Sequence, residues 1–379
     1  MKIVGASIYA LKIPFVESFG HSLSDRFHAD SVIVKIITDS AVAGFGEGVP
    51  RPYVTGETRD TCVDHIAMRL LPRLLGTRLE NIGIRNVLCE INRLVAGAET
   101  DDAVVWNAAR CAVETAVVDG FLRANGLSLG DVLPPASRTV TYSGVISSGS
   151  DAKVESLARR CQAVGFKDVK VKVSGEEDIR RIAAVRSILG PAVSIRLDAN
   201  AAFNPETTLR FLASAREYDI ACIEQPIPRG DPTELADLRA ASPVPIMADE
   251  SVVTIRDAQE LIAANAVDYW NLRLSKCGGL HNMIAIADLA RSAGVGIGLG
   301  CQVGETAVLS AAGRHLAAHL RGLLFVEGSY GAHLLIGDIA DEAVGFGLGG
   351  KAGILAGPGL GVDVCEELLD KYAEKVIKV

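Results

Sequence analysis

The chain has 379 residues, of which 49% are hydrophobic and 22% charged, so it can bury a sizeable core and divide into two regions of domain size. Its net charge of -8 argues against partners that need a basic surface, namely nucleic acid and anionic membranes, and no run is apolar enough for a membrane span or a signal peptide. The eight cysteines form no Cys-x-x-Cys pair, which predicts buried thiols in a reducing compartment and therefore a cytoplasmic protein.

Residues 1–125 have the pattern of an α+β domain. The run SVIVKIITDSAVAGFGEGV alternates apolar and other residues on both sides of TDSA, which predicts a β-hairpin. Three amphipathic segments then predict helices at residues 58–75, 84–97 and 103–126.

From residue 139 onward, short β-branched runs alternate with longer amphipathic segments. The first run is TVTYSGVI, the last is LLFVEG, and segments such as DAKVESLARRCQAVG separate them. This alternation predicts parallel strands with right-handed crossovers, and eight strands with seven helices close most readily into a barrel. The predicted fold class is α/β, a modified TIM barrel of the (β/α)7β type over residues 126–340, and a doubly wound open sheet is the structural alternative.

Residues 341–379 contain no further strand and helix repeat. A glycine-rich stretch is followed by the helical pattern CEELLDKYAEKV. We expect this segment to return to the first domain.

Charged residues occur at the ends of five successive predicted strands. In chain order they are Lys170 and Lys172, Asp198 with Asn200, Glu224, Asp249 with Glu250, and Lys276. Because the carboxyl ends of parallel strands meet at one rim of a barrel, these side chains should converge there.

The convergence predicts a metal site flanked by two lysines. Three carboxylates suit Mg²⁺, with Mn²⁺ as the alternative, and the absence of His or Cys among them disfavours zinc. Lys170 lies two residues before Lys172 on the same face of its strand, so its charge would lower the pKa of Lys172 and help it act as a base. Singly, each acid could be a strand-end cap or an ion-pair partner, and Lys276 could be a surface residue.

These motifs resemble the enolase superfamily, and within it the muconate lactonizing enzyme subgroup of the mandelate racemase/muconate lactonizing enzyme family. The matching motifs are KVK, DAN, EQP, ADES and LSKCGG on successive strands, and the resemblance covers nearly the whole chain. It implies an N-terminal capping domain, a barrel, a C-terminal segment returning to the cap, and a homo-oligomer.

The resemblance also implies residue roles. Asp198, Glu224 and Asp249 would bind Mg²⁺, while Lys172 and Lys276 would act as acid and base on opposite faces of a small carboxylate substrate. Asn200 and Glu250 would have supporting roles. The shared step would be removal of the proton α to the carboxylate, through an enolate.

In such enzymes two cap loops select the substrate. The matching segments are residues 16–30 and 50–58, and their side chains that could face a ligand are Phe19, His21, Arg51 and Tyr53. Arg51 is the candidate for a second anionic group on the substrate.

The last two strands bear on the choice of reaction. The eighth reads FVEGSYG, so Glu327 stands where dipeptide epimerases usually carry an Asp-x-Asp pair, although Glu327 and Glu305 could together bind a cation. The seventh, GIGLGCQVGE, lacks the His base of mandelate-racemase-like dehydratases. These features favour a muconate cycloisomerase, an N-acylamino acid racemase or a succinylbenzoate synthase over a dipeptide epimerase or an acid dehydratase. A barrel that binds metal without catalysis is the rival from another class.

Overall fold

The computed structural model describes residues 1–21, 24–96 and 104–379, and the side chains at positions 21, 24 and 25 lie outside the described part. Its strands are β1 (Ile3–Leu11), β2 (Ile13–His21), β3 (Ser24–Ala29), β4 (Val32–Thr38), β5 (Ala43–Gly48), β6 (Thr139–Thr141), β7 (Gly144–Ile146), β8 (Asp168–Lys172), β9 (Ser194–Asp198), β10 (Ile220–Glu224), β11 (Ile246–Ala248), β12 (Tyr269–Leu272), β13 (Gly296–Leu299), β14 (Lys351–Gly353) and β15 (Ala373–Lys378).

The α-helices of the same residues are α1 (Pro52–Thr55), α2 (Arg59–His65), α3 (Leu71–Leu74), α4 (Val87–Ala96), α5 (Asn107–Ala124), α6 (Leu129–Val132), α7 (Asp151–Val164), α8 (Ile179–Leu189), α9 (Pro205–Ser214), α10 (Pro232–Ala241), α11 (Ile255–Ala263), α12 (Leu274–Cys277), α13 (Leu280–Ala293), α14 (Ala307–His319), α15 (Gly331–Leu334) and α16 (Glu366–Tyr372). Short 3-10 turns lie at Ile84–Asn86, Glu176–Asp178, Arg216–Tyr218 and Leu348–Gly350, and a π-helical turn lies at Ile66–Leu70.

The first domain contains an antiparallel sheet in the order β15-β1-β4-β5. The predicted hairpin is β4 and β5, and β15 pairs with β1, so the end of the chain returns to this sheet as expected. Helix α5 packs on β5 at close range. This approach requires glycine at position 46, because a side chain there would collide with the backbone of Ala112.

Segment 16–30, expected to be a loop, is instead most of the separate hairpin β2–β3. The first of the three predicted helices, residues 58–75, is divided among α2, the π-helical turn and α3. Pro72 lies in the first turn of α3 and cannot donate a backbone hydrogen bond, so a regular helix is interrupted there. The other two correspond to α4, preceded by a 3-10 turn, and to α5, with residues 97 and 103 outside the described part.

The second domain is a curled parallel sheet in the order β13-β12-β11-β10-β9-β8-β7, with helices between consecutive strands. The eighth predicted strand is reduced to a bridge between Val326 and Leu299. Ser143 N nevertheless donates to Val326 O over 2.8 Å, so this segment joins both edges of the sheet. The first half of the run TVTYSGVI forms β6, which pairs with β14 and not with the parallel sheet.

Local signals set the ends of the barrel helices. Helix α7, for example, begins after Ser150, whose hydroxyl accepts from Lys153 N, and ends at Gly165 in the left-handed conformation. A continuous cluster of buried apolar residues runs through both domains. No helix in the described part of the chain is long and apolar enough to cross a membrane. The domain boundaries at 125/126 and 340/341 remain predictions.

Candidate active site

The charged residues predicted at the strand ends converge at one rim of the parallel sheet. Asp198 and Glu224 are the last residues of β9 and β10, and Asp249 follows β11. In the sheet register Lys172 lies beside Asp198, and Asp198 lies beside Glu224. The three acids have no exposed surface.

Lys276 approaches the acids from the far side, on the short helix α12 that follows β12. It is fully buried, and its Nζ donates to Asp249 Oδ1 over 2.8 Å, to Asp249 O over 2.6 Å and to Asn271 O over 2.7 Å. Burial, together with the nearby Arg273 guanidinium, lowers the pKa of Lys276 to about 8. Lys276 is therefore an oriented amine deep in the site rather than a surface lysine.

Lys172 and Lys170 approach from the opposite side. Lys172 Nζ donates to Asp198 Oδ2 and to Asn200 Oδ1, each over 2.6 Å. Lys170 Nζ lies 2.8 Å from Glu327 Oε2, 3.2 Å from Asp198 Oδ2 and 3.4 Å from Glu224 Oε2.

These contacts set the charge states on this side of the site. Burial favours the neutral amine of Lys170, but its neighbours Glu224, Glu327 and Asp198 raise its pKa above the ordinary lysine value. Burial would likewise raise the pKa of Asp198, but Lys172 and Lys170 hold it well below its usual range. Lys170 thus acts first as a counter-ion to acids, and its predicted catalytic role stays a prediction.

Cationic and amide groups satisfy the other two acids. Asn271 Nδ2 donates to Glu224 Oε1 over 2.7 Å, and the Arg273 guanidinium lies against Asp249 Oδ2 and 3.6 Å from Glu224 Oε1. With the carboxylates held this way, no three His, Cys, Asp or Glu side chains among the described residues lie close enough to share a metal ion.

The donor set nevertheless fits a hard divalent cation. The three acids offer hard oxygen atoms, and the neighbouring Glu250 Oε2 and Asn271 Oδ1 are buried oxygens that accept no hydrogen bond from the described residues. Buried oxygens without a donor are costly, and a hard cation prefers oxygen ligands of this kind. For Asp198, Glu224 and Asp249 to bind one ion, their lysine and arginine contacts would have to loosen.

Asn200 connects Lys172 to Glu250. Asn200 accepts from Lys172, and its amide donates to Glu250 Oε1 over 3.1 Å. Asn200 has a positive φ of 42°, which is tolerated by asparagine and turns the chain sharply after β9. The supporting roles predicted for Asn200 and Glu250 thus have a structural basis, although the roles themselves remain predictions.

The rim opens into a pocket of about 1400 Å³, including its mouth toward solvent. Lys170, Lys172 and Asn200 line it, as do five of the residues expected to face a ligand: Phe19, Arg51, Tyr53, Glu305 and Glu327. The side chain of the sixth, His21, lies outside the described part.

Arg51 is less available to a ligand than the sequence suggested. It is 1% exposed, and its guanidinium donates to Asp30 Oδ1 over 2.7 Å, to Pro50 O over 2.8 Å and to Val303 O over 2.5 Å. Glu305 accepts from Gln302 N, and burial raises its pKa to about 8.

Glu327 is held by two cations. Its Oε2 accepts from Lys170 over 2.8 Å and its Oε1 from Arg196 over 3.0 Å. The Arg196 guanidinium also contacts Asp168 and stacks 3.4 Å from the ring centre of Phe325.

Sequence reasoning missed Arg196, Arg273 and Asn271. A signal was present for Arg196, because it precedes Asp198 by two residues and so shares its face of β9. Asn271 lies in β12 and Arg273 directly follows it, so the two also share one face of their strand. Nothing in the local sequence indicates that they reach the acids of other strands.

Comparison with known proteins assigns both parts of the chain to one family. Residues 6–133 match the model for the mandelate racemase / muconate lactonizing enzyme N-terminal domain, and residues 153–368 match the enolase C-terminal domain-like model. The L-Ala-D/L-Glu epimerase of Bacillus subtilis (strain 168) is 32% identical over 329 residues, which are 85% of this chain and 87% of that protein.

Two further relatives are similar along their whole length. The N-succinyl-L-Arg/Lys racemase of Bacillus cereus is 29% identical over 382 residues, 98% of each chain, and a crystal structure of it matches with a TM-score of 0.90, 28% identity and 100% of both chains covered. A dipeptide epimerase from Cytophaga hutchinsonii, complexed with Mg and D-Ala-L-Val, matches with a TM-score of 0.89, 27% identity and 100% of both chains covered. The predicted superfamily and fold are confirmed, and these relatives are isomerases, the predicted class of enzyme.

Proposed function

We propose a function from the premise that this chain belongs to the mandelate racemase / muconate lactonizing enzyme family of the enolase superfamily. The proposed reaction is the Mg²⁺-dependent removal and return of the proton α to a carboxylate, with an N-acylated amino acid as substrate. The protein would therefore be an N-acylamino acid racemase.

The observation that carries the proposal is the position of two lysines on opposite sides of three acids. In the sheet order, β8 bears Lys172, the next three strands bear the acids, and Lys276 follows β12. Their amines contact the outer two acids, Asp198 and Asp249. A substrate carbon between them would expose one face to each amine, so one lysine can take a proton while the other returns one to the opposite face. That is the geometry a racemase needs.

Asp198, Glu224 and Asp249 are the residues we propose to hold the metal. When bound, Mg²⁺ would neutralise the charge that develops on the substrate carboxylate as the α-proton leaves. Asn200 would keep Lys172 aimed at the substrate through its 2.6 Å hydrogen bond, and Lys276 would be aimed by the carbonyls of Asp249 and Asn271. Burial of these groups would exclude bulk water from the reacting carbon.

Glu327 favours an acylated over a free amino group on the substrate. A dipeptide presents an α-ammonium, which needs an available carboxylate. Both oxygens of Glu327 are already engaged, one by Lys170 and one by Arg196, so an ammonium would have to compete with two cations. An uncharged amide nitrogen carries no such requirement.

The test is α-deuterium incorporation in D₂O with Mg²⁺. We expect N-acetyl and N-succinyl amino acids to exchange and racemise, and the corresponding free dipeptides to exchange more slowly. Lys172→Ala and Lys276→Ala should each lower the racemisation rate by about 10²–10⁴-fold, and EDTA should abolish exchange.

The matched control is Lys167→Ala, because Lys167 is an exposed lysine directly before β8. It should retain wild-type exchange. Exchange that survives both rim substitutions, or that is equally fast with EDTA, would contradict the proposed chemistry. Faster turnover of dipeptides or muconate than of any N-acylamino acid would replace the proposed substrate.

The use of Mn²⁺, a homo-oligomeric state and a cytoplasmic location are further expectations from the sequence. We retain them as part of the proposal.

A further inference from the structure

The active-site pocket extends sideways from the rim, away from the metal-site acids, into a chamber beside helix α7. One wall is a single face of α7, formed by Leu157, Cys161 and Val164 at four- and three-residue spacing. Leu334 of α15 and Phe346, which follows in the chain, also line this space. We call this space the side chamber.

Aromatic rings cluster around Phe346. Its ring centre lies 5.6 Å from that of Phe166, 5.6 Å from that of Tyr330 and 5.0 Å from that of His333. The Phe166 and Tyr330 contacts are edge-to-face, which is a favourable packing arrangement for aromatic rings. All of these residues line the pocket, so the rings both pack on one another and present apolar surface to it.

Strand β2 covers the chamber. It is bridged to Leu335 through Phe15 and to Ser148 through Gly20. Lys153 Nζ in α7 donates to Ser18 O over 2.8 Å. The chamber is thus bounded by the barrel, by α7 and by the cap.

The chamber provides little for a charged ligand. Arg160 and Glu17, which also line the pocket, already form an ion pair with each other at 2.8 Å. The Tyr330 hydroxyl donates to Ser143 O. A charged group entering this space would lose its hydration without gaining an available counter-ion, whereas an apolar group would be stabilised by the area it buries.

We infer that the side chamber binds a bulky aromatic or branched aliphatic group of the substrate. The inference rests on the proposed function, since it places the reacting carboxylate at the rim next to the chamber. The apolar group could belong to the amino acid side chain or to the N-acyl group. The chamber would bind either one in the same way, by burying its apolar surface.

The test compares kcat/KM for three substrates: N-acetylalanine, N-acetylphenylalanine and N-phenylacetylalanine. Wild-type protein should favour one or both aromatic substrates over N-acetylalanine by at least about tenfold. The preferred aromatic substrate tells whether the side chain or the acyl group enters the chamber.

Val164→Phe would fill the chamber from the α7 wall. It should reduce kcat/KM for the preferred aromatic substrate by about tenfold or more and leave N-acetylalanine within about twofold. Ala163→Phe is the matched control, because Ala163 is the exposed neighbour of Val164 and does not line the pocket. Leu334→Phe fills the chamber from α15 and repeats the test if Val164→Phe fails to fold.

Equal kcat/KM for all three substrates would overturn the inference, and so would an equal loss for all three in both chamber variants. Either result leaves the proposed racemase activity intact, because N-acetylalanine still reacts. If no N-acylamino acid exchanges its α-proton, the proposed function itself fails, and the two failures are thereby distinguished.

Discussion

Two groups of buried carboxylates occupy different regions of this protein, and their surroundings differ in kind. The rim group is Asp198, Glu224 and Asp249, which are fully buried and contacted by lysine and arginine side chains. The first-domain group is Glu47, Glu57 and Glu114, which are about equally buried.

The first-domain group accepts from backbone N–H groups at helix starts. Glu57 accepts from Ala108 N and Ala109 N at the start of α5, each over 2.9 Å. Glu114 accepts from Leu280 N over 2.5 Å and from His281 N over 3.2 Å at the start of the barrel helix α13.

Glu47 has the same role at the start of α14, where it accepts from the backbone N–H groups of Thr306 and Leu309, each over 2.9 Å. Glu47 and Glu114 therefore fasten the first domain to the barrel by capping two of its helices.

The carboxyl pKa values of the two groups differ because their hydrogen-bond and ion-pair partners differ. Burial raises the pKa of Glu57 and of Glu114 to about 7, whereas two lysines hold that of Asp198 well below its usual range. Burial of a carboxylate is thus no indication of catalysis by itself. Convergence with cations from several strands is the informative feature.

The largest expected effect is a loss of activity when a glutamate of the rim group, but not one of the first-domain group, is replaced by glutamine. Glu224→Gln removes one rim charge and should lower the α-proton exchange rate by about 10³-fold or more, because metal binding and charge stabilisation are lost together. We expect Mg²⁺ to raise the unfolding temperature of the wild type, and Glu224→Gln should abolish this rise.

Glu57→Gln is the control for this change, because it neutralises a first-domain acid of similar burial. It should keep both the exchange activity and the response to Mg²⁺. If Glu224→Gln still responds to Mg²⁺ like the wild type, the proposed ligand set is wrong.

A smaller effect is expected from Glu114→Ala. Two buried N–H groups at the start of α13 would lose their acceptor, so the free energy of unfolding should fall by about 1–3 kcal/mol in urea denaturation. Glu90→Ala, at a partly exposed acid of α4 paired with Arg93, should cost less than about 0.5 kcal/mol. An equal effect of the two changes would mean that Glu114 does not fasten the domains.

An effect of similar size is expected from pH, because the stability of the protein should depend on it. The pKa of Glu57 is about 7 in the folded protein and about 4.3 in an unfolded chain. The folded state therefore binds more protons between these values, and the stability gained by protonation is fully present below about pH 4 and lost as the pH rises through 7.

Urea denaturation at pH 5 and pH 8 measures this loss, which should be on the order of 1–3 kcal/mol for this residue. In Glu57→Gln the difference between the two pH values should be smaller than in the wild type. An unchanged difference would show that Glu57 does not titrate in this range.

Much of the fold and of the rim was predictable from the sequence, because the relevant signals are local. Alternation of apolar residues placed the hairpin β4–β5, and the repeat of strands and helices predicted a barrel. Because parallel strands end at one rim, the positions of Lys172, Asp198, Glu224, Asp249 and Lys276 at strand ends were enough to predict that they converge.

Only the tertiary structure decided which groups meet. Local alternation cannot reveal that Arg51 is held by Asp30, or that Glu327 is held by Lys170 and Arg196, because the latter contacts join residues more than 100 positions apart. It also could not show that segment 16–30 pairs as a hairpin or that the last barrel strand shortens to a bridge at Val326. The sequence by itself determined which side chains face the rim, since that depends on backbone period. Which charges are left for a substrate depends on packing between distant segments, and so does the presence of the side chamber.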